Sequence, residues 1–153
     1  MVDLAPMATW AQFSRQEPEL AQYGSDLLRE DQGYAYLATV TVERSPRVHP
    51  VVPFVADGRL MICIVGSSPK VADLRDNGSY MLHATVGDND TEFAVRGRAA
   101  EVDLGTQPYS VLAKQELNAV DVHDGDVVFE LDIDRVDAAI CDDGSPRRQT
   151  WRA

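Results

Sequence analysis

The 153-residue sequence predicts a mainly β fold, a small β-barrel with α-helices built from six antiparallel strands. Three observations carry that expectation. Short runs rich in β-branched and aromatic residues recur between turn signals. Strand and helix patterns do not alternate as βαβ units, which argues against a doubly wound parallel sheet. Asp57-Gly58, set between two apolar runs, is the strongest hairpin signal in the chain. Closing the strands into a barrel removes exposed sheet edges. The length fits one domain, with a helical N-terminal arm over 1–31, a barrel with two helices over 34–142 and a tail over 143–153.

The arm carries Trp10, Phe13, Leu20, Tyr23, Leu27 and Leu28 at near-helical spacings, with Pro18 and Gly24 expected to divide it. Strand one is "YAYLATVTV" (34–42), and the "ERSP" turn leads into strand two, "RVHPVVPFVA" (47–56). The Asp57-Gly58 hairpin opens strand three, "RLMICIVG" (59–66). A short helix follows in "SSPKVADLRDNG" (67–78), with Ser68 as N-cap, Pro69 at the first helical position and Asn77-Gly78 at the exit. Strands four and five are "SYMLHATV" (79–86) and "TEFAVRGRAAEVDL" (91–104). Residues 106–119 read as a helix. The sixth strand, 126–142, alternates apolar Phe129, Leu131 and Ile133 with Glu130, Asp132 and Asp134, leaving one wet face.

Composition excludes several function classes. The 25 acidic against 14 basic residues give a formal net charge of −11, which opposes binding to nucleic acid or anionic membranes at long range. No apolar run approaches the roughly 20 residues of a membrane span, and the N-terminus lacks a signal-peptide pattern. Two cysteines do not make a disulfide framework, so Cys63 and Cys141 read as reduced thiols in a cytoplasmic protein. The three histidines stand apart with no metal-ligand spacing, and His83 reads as a hydrogen-bonded sheet histidine. Nucleophile elbows, Walker loops and dinucleotide fingerprints are absent.

Lys70 is the informative oddity. It lies in the first turn of a helix, at the positive end of the dipole, which costs about 0.3–1 kcal/mol unless an anion compensates. Ser67, Ser68, the first-turn amides and the Lys70 ammonium together make an anion site; the plainer reading is an ordinary cap with Lys70 in solvent. In strand two, Arg47, His49 and Val51 share one face and Val48, Pro50, Val52 and Phe54 the other. The apolar set is expected inside the barrel, with Arg47 and His49 lining the outside, either as a wet strand face or against a ligand or partner. Pro50 and Pro53 make this strand an edge, a bulge or a ligand wall. Gly97, between Arg96 and Arg98, marks a bulge or a close backbone approach, and the two arginines are expected to pair with carboxylates.

Taken in order, the "LATV" strand (37–40), "SPRVHPVVP" (45–53), "DGR" (57–59) and "SSPK…DLR" (67–75) resemble the pyridoxamine 5'-phosphate oxidase-related proteins. The likeness spans roughly residues 27–104. It implies a Greek-key split barrel of the FMN-binding type. It further implies a homodimer with FMN, or the deazaflavin coenzyme F-420, at the subunit interface, and hydride transfer with a small substrate. Carried over, Arg47, His49, Pro50 and Val51 would contact the ring or ribityl chain, with Thr39 helping indirectly. Ser67, Ser68 and Lys70 would hold the phosphate. Trp151 and Arg152, with Arg147 and Arg148 as weaker candidates, would reach the partner's cofactor from the tail. The substrate-phosphate arginines of pyridoxamine-phosphate oxidase proper, and its further basic pair after the phosphate loop, are not found, so the likeness does not by itself imply vitamin B6 synthesis. A non-catalytic flavin or haem carrier or sensor is the alternative, with His49 or His83 as a possible axial ligand.

Overall fold

The computed structural model describes residues 5–29, 33–103, 123–141 and 143–153. The helix expected over 106–119 lies outside the described residues. The order of elements is α1 (Trp10–Gln16), α2 (Pro18–Arg29), β1 (Ala35–Val40), β2 (Pro46–Val51), β3 (Pro53–Ala56), β4 (Arg59–Ile64), α3 (Pro69–Asp76), β5 (Ser79–Ala84), β6 (Glu92–Glu101), β7 (Val127–Ile140) and β8 (Arg147–Arg152), with a 3-10 turn at Asp88–Asp90.

The strands form one antiparallel sheet in the order β2-β1-β5-β6-β7-β4-β3, with β8 also paired to β7. Eight strands replace the expected six, for two reasons. The expected second strand breaks at Val52, so that β2 pairs with β1 while β3 pairs with β4. One extended segment thereby supplies both ends of the order and curls the sheet into a half-barrel. Pro53 takes the first position of β3, where a missing N–H is tolerated. The second addition is the 143–153 tail, expected to reach toward a partner's cofactor, which instead lies along β7 from Arg135↔Arg152 to Ile140↔Arg147.

The two faces of β2 are the reverse of the sequence expectation. Val51 is buried in the core while Val48 is 61% exposed, so Arg47, His49 and Val51 face inward. The reason lies 26 residues downstream: α3 packs beside β1 and presents the buried carboxylate of Asp73 to Arg47. An arginine with a carboxylate partner can occupy the inner face, and the small apolar residues go outside.

The helical arm divides once, between α1 and α2. Thr9 and Gln12 form a capping box at the start of α1, with reciprocal bonds of 3.2 and 2.8 Å. Gly24 was expected as a break but lies within α2, because a Cβ there would collide with the ring of Phe93. Trp10, Phe13, Phe93 and Trp151 pack edge to face or tilted, with ring centroids 5.0–6.3 Å apart. Gly97 meets both sequence readings: the β6–β7 register shifts between Arg96 and Gly97, and a Cβ would strike the carbonyl of Asp132. Asp134, skipped by that shift, pairs with Arg96 at 3.0 Å.

Phe93 is fully buried, so its ring has no room to retreat from a side chain at position 24. Gly24→Ala should therefore lower unfolding free energy by about 1–3 kcal/mol in urea denaturation. An unchanged midpoint would show that α2 can slide away from β6 at no cost.

Candidate functional site

The site is assembled by the loop between β4 and α3. Gly66 opens it, and any Cβ at that position would run into the carbonyl oxygen of Gly125. The absence of a side chain lets the 65–68 turn, closed by Ser68 N–H donating to Val65 O at 2.9 Å, lie against the loop 123–126. Ser68 then adopts the extended conformation of an N-cap, φ −69° and ψ 137°, with Pro69 behind it. Its hydroxyl makes no capping bond to the helix. At the far end the Asn77 N–H donates to Asp73 O, and Gly78 turns the chain with φ +71°.

Between these pieces lies an open cleft of about 380 Å³. Pro50 and Val51 of β2, Ser68 and Lys70 at the start of α3, Cys63 of β4 and Asp126 of the neighbouring loop all line it. Lys70 is half-buried, and loss of water around it lowers its pKa from the ordinary value. Among the described residues no carboxylate pairs with it. Opposite, burial and the neighbouring Asp126 push the Cys63 thiol up to about 11, so it stays protonated at neutral pH. The Asp126 carboxylate accepts from the His123 N–H at 2.9 Å and, weakly, from that thiol at 3.9 Å.

Next to the cleft on the inner side of β2 is a second cluster. Asp73 Oδ2 accepts from Thr39 Oγ1–H at 2.7 Å and from Arg47 Nε–H at 2.9 Å. Asp73 and Thr39 are both buried. His49 is two residues from Arg47, and its Nε2 is enclosed without a hydrogen-bond partner. Burial first, then the charges of Lys70 and Arg47, lower the imidazole's pKa, and Asp73 partly opposes them. His49 is therefore neutral near pH 7 in the free protein.

Of the residues singled out from sequence, Pro50, Val51, Ser68 and Lys70 meet in one cleft, with Arg47, His49 and Thr39 alongside. Ser67 is exposed and outside the cleft lining. Trp151 is a correction. Expected at a partner's cofactor, it is buried in its own core, packed on Phe13 and donating Nε1–H to Gln16 Oε1 at 3.1 Å. Its β8 neighbour Arg152 is exposed opposite Arg135, and neither lines the cleft. Arg148 is 3.9 Å from Glu92, and the Arg147 side is likewise on the β8–β7 surface. His83 contacts the Ala84 carbonyl through Nδ1 at 2.6 Å, as a sheet histidine should. Sequence reasoning missed Asp73 and Asp126. Asp73 had a readable signal, since it stands three residues after Lys70 and so on a neighbouring helical position.

No family model and no curated protein matches the chain. Solved structures do. The chain is similar to PhzG from Burkholderia lata in complex with tetrahydrophenazine-1-carboxylic acid, with TM-score 0.65 and 15% identity over 94% of this chain and 87% of that one. It is also similar to a protein of the pyridoxinephosphate oxidase family from Clostridium acetobutylicum, related to general stress protein 26, with TM-score 0.60 and 12% identity over 89% and 95%. A heme binding protein from Mycobacterium smegmatis gives TM-score 0.60 and 14% identity over 76% of this chain, which spans about half (52%) of that one. The fold is thus the split barrel found among pyridoxine phosphate oxidase-family proteins.

The lowered His49 value has a sign that can be tested. The native state resists protonation, so stability falls as pH drops below the ordinary 6.5 toward the native value, while above 6.5 both states are neutral and His49 contributes nothing. Thermal unfolding from about pH 8 to about pH 5 should show an acid-side loss that His49→Gln reduces. Superimposable profiles would remove His49 from the balance.

Proposed function

We propose that the protein is a flavin-binding split-barrel oxidoreductase, holding FMN or the deazaflavin coenzyme F-420 and moving a hydride to or from a small substrate. The observation that carries this reading is Lys70, half-buried at a helix start, lining a cleft and lacking a carboxylate partner among the described residues. A phosphate monoester fits these groups. It would accept charge-assisted bonds from Lys70, a bond from the uncapped Ser68 hydroxyl, and favourable dipoles from the first turn of α3. The enclosed, unpartnered His49 Nε2 adds an imidazole whose protonation an anion would favour. Pro50 and Val51 offer an apolar strip for a ring system, and the cleft volume is within the usual range for small-ligand sites. The flavin, when bound, supplies the hydride chemistry. The chain's part is to bind, orient and shield it.

A second copy of the chain completes this reading. Tyr36, Val48 and Met81 stand 52%, 61% and 38% exposed on adjacent strands, in register through Tyr36↔Pro50, Ala38↔Val48 and Ala38↔Met81. That apolar face is continuous with the cleft through Pro50, so a partner seated on it would border the cofactor. Sedimentation should give a dimer that Val48→Asp converts to monomer; an unchanged mass would place the interface elsewhere.

Haem binding without turnover is the second reading, favoured by the neutral His49 imidazole and by the fold shared with a heme binding protein. Titration of the purified protein with FMN, F-420 and haem separates the readings, and a spectrum unchanged by all three overturns both. Lys70→Ala should weaken FMN binding by about 1.5–3 kcal/mol with the fold intact. Equal affinities would remove Lys70 from the phosphate site.

A further inference from the structure

The geometry points to Asp73 as the positioning residue of the anion end of this cleft: its buried carboxylate aims Arg47 at the ligand's phosphate. The assignment rests on the phosphate-bearing cofactor reading above.

Asp73 is 4% exposed, and a buried carboxylate needs donors. One oxygen, Oδ2, takes both of them, the Thr39 hydroxyl at 2.7 Å and Arg47 Nε at 2.9 Å. Thr39 is itself buried on β1, so the carboxylate is fixed between two elements, and Arg47 is held by a fixed group. Of the five N–H donors of a guanidinium this bond uses one. Among the described residues the Arg47 side chain makes no other hydrogen bond. The remaining donors form a fork suited to a phosphate.

The placement of Asp73 in the chain matters as much as its contacts. It sits three residues after Lys70 on α3, and Arg47 sits two residues before His49 on β2. Lys70 and Arg47 both act on the His49 imidazole as positive charges, and Asp73 is the group that acts on it in the opposite sense. The start of α3 and the inner face of β2 thus carry like charges that would push the two elements apart. The Asp73–Arg47 bond ties the two elements together, with Arg47 beside the cleft that Lys70 lines and both charges close enough to act on His49.

Two effects of removing Asp73 have opposite signs. If the carboxylate acts only as a nearby negative charge, its loss makes the site more positive and anion binding tightens. If it positions Arg47, its loss weakens anion binding despite the gain in positive charge. The proposal requires the second outcome.

The test uses the full chain, with FMN and riboflavin as probes and dissociation constants from flavin fluorescence. Riboflavin lacks the phosphate, so the FMN-to-riboflavin affinity ratio isolates the anion end. Asp73→Asn should reduce that ratio about tenfold with riboflavin affinity unchanged. The double variant Asp73→Asn, Arg47→Ala should lose no more than Arg47→Ala alone, because both remove one device. A ratio unchanged or increased in Asp73→Asn, or additive losses in the double variant, overturns the assignment. Should Asp73→Asn fail to fold, Thr39→Val removes only one support, and it should lower the ratio by a smaller factor; an unchanged ratio there also overturns it. Should F-420 bind better than FMN, F-420 and its phosphate-free deazaflavin replace the pair. A wild-type chain that binds neither flavin nor deazaflavin overturns the cofactor reading and this assignment with it, whereas wild-type binding with unresponsive Asp73 variants overturns this assignment alone.

Discussion

A single extended segment, residues 46–56, has to serve both ends of the sheet. Its first half pairs with β1 and its second half with β4, so that its two halves, β2 and β3, lie at opposite ends of the order. The break between the halves is one residue, Val52, directly before Pro53. A covalent link this short pulls the two ends of the sheet toward each other, and the curl follows. The hairpin at Asp57, φ 52°, and Gly58, φ 68°, then returns β4 alongside β3, and the next loop delivers α3 to the same end of the curl. The cleft exists because the loop, the helix and the bent segment converge there.

That convergence concentrates positive charge in a chain whose net charge is −11. At long range an anionic ligand meets repulsion, and at short range it meets Lys70 and Arg47. Such an arrangement yields affinity from contact rather than from steering, and it should be sensitive to the geometry of a few donors more than to ionic strength. The internal balance is equally local. Asp73 offsets Arg47, Asp134 offsets Arg96, and Glu101 holds Arg75 through two bonds of 2.7 Å. Lys70 is left without such a counterweight among the described residues, which is why its neighbourhood has the character of a site.

Local signals in the sequence were readable where local physics decides the outcome. Ser68-Pro69 starts α3, Asn77-Gly78 ends it, Asp57-Gly58 turns a hairpin and Gly97 accompanies a register shift, because each depends on backbone freedom at one or two positions. What alternation cannot tell is which face of a strand points inward. Arg47 and His49 look like a wet face until a helix 26 residues away supplies a buried carboxylate. Gly24 looks like a break until Phe93, on a distant strand, fills the space a side chain would need. The tail "RRQTWRA" carries one apolar residue among basic and polar ones, too little pattern to foresee that Trp151 closes the core against Phe13. In each case the missing information was the identity of a tertiary neighbour. For the cleft, spacing made the residue types legible, while the meeting of Pro50, Val51, Ser68 and Lys70 was implied only by the family resemblance.

The prolines of β2 bear on how the protein associates. Pro46, Val48 and Pro50 share one side of an edge strand, and two of the three lack an amide proton. A free sheet edge normally offers a row of donors and acceptors to any extended chain that drifts past, which is how sheets fuse and fibrils begin. Here that row keeps its acceptors but has lost two of its three donors. Adding another polypeptide to β2 as a further strand would leave two ladder bonds unmade, which favours association through side chains across the apolar face. Pro50, which lines the cleft, thereby also weakens the edge on which a neighbouring molecule could extend the sheet.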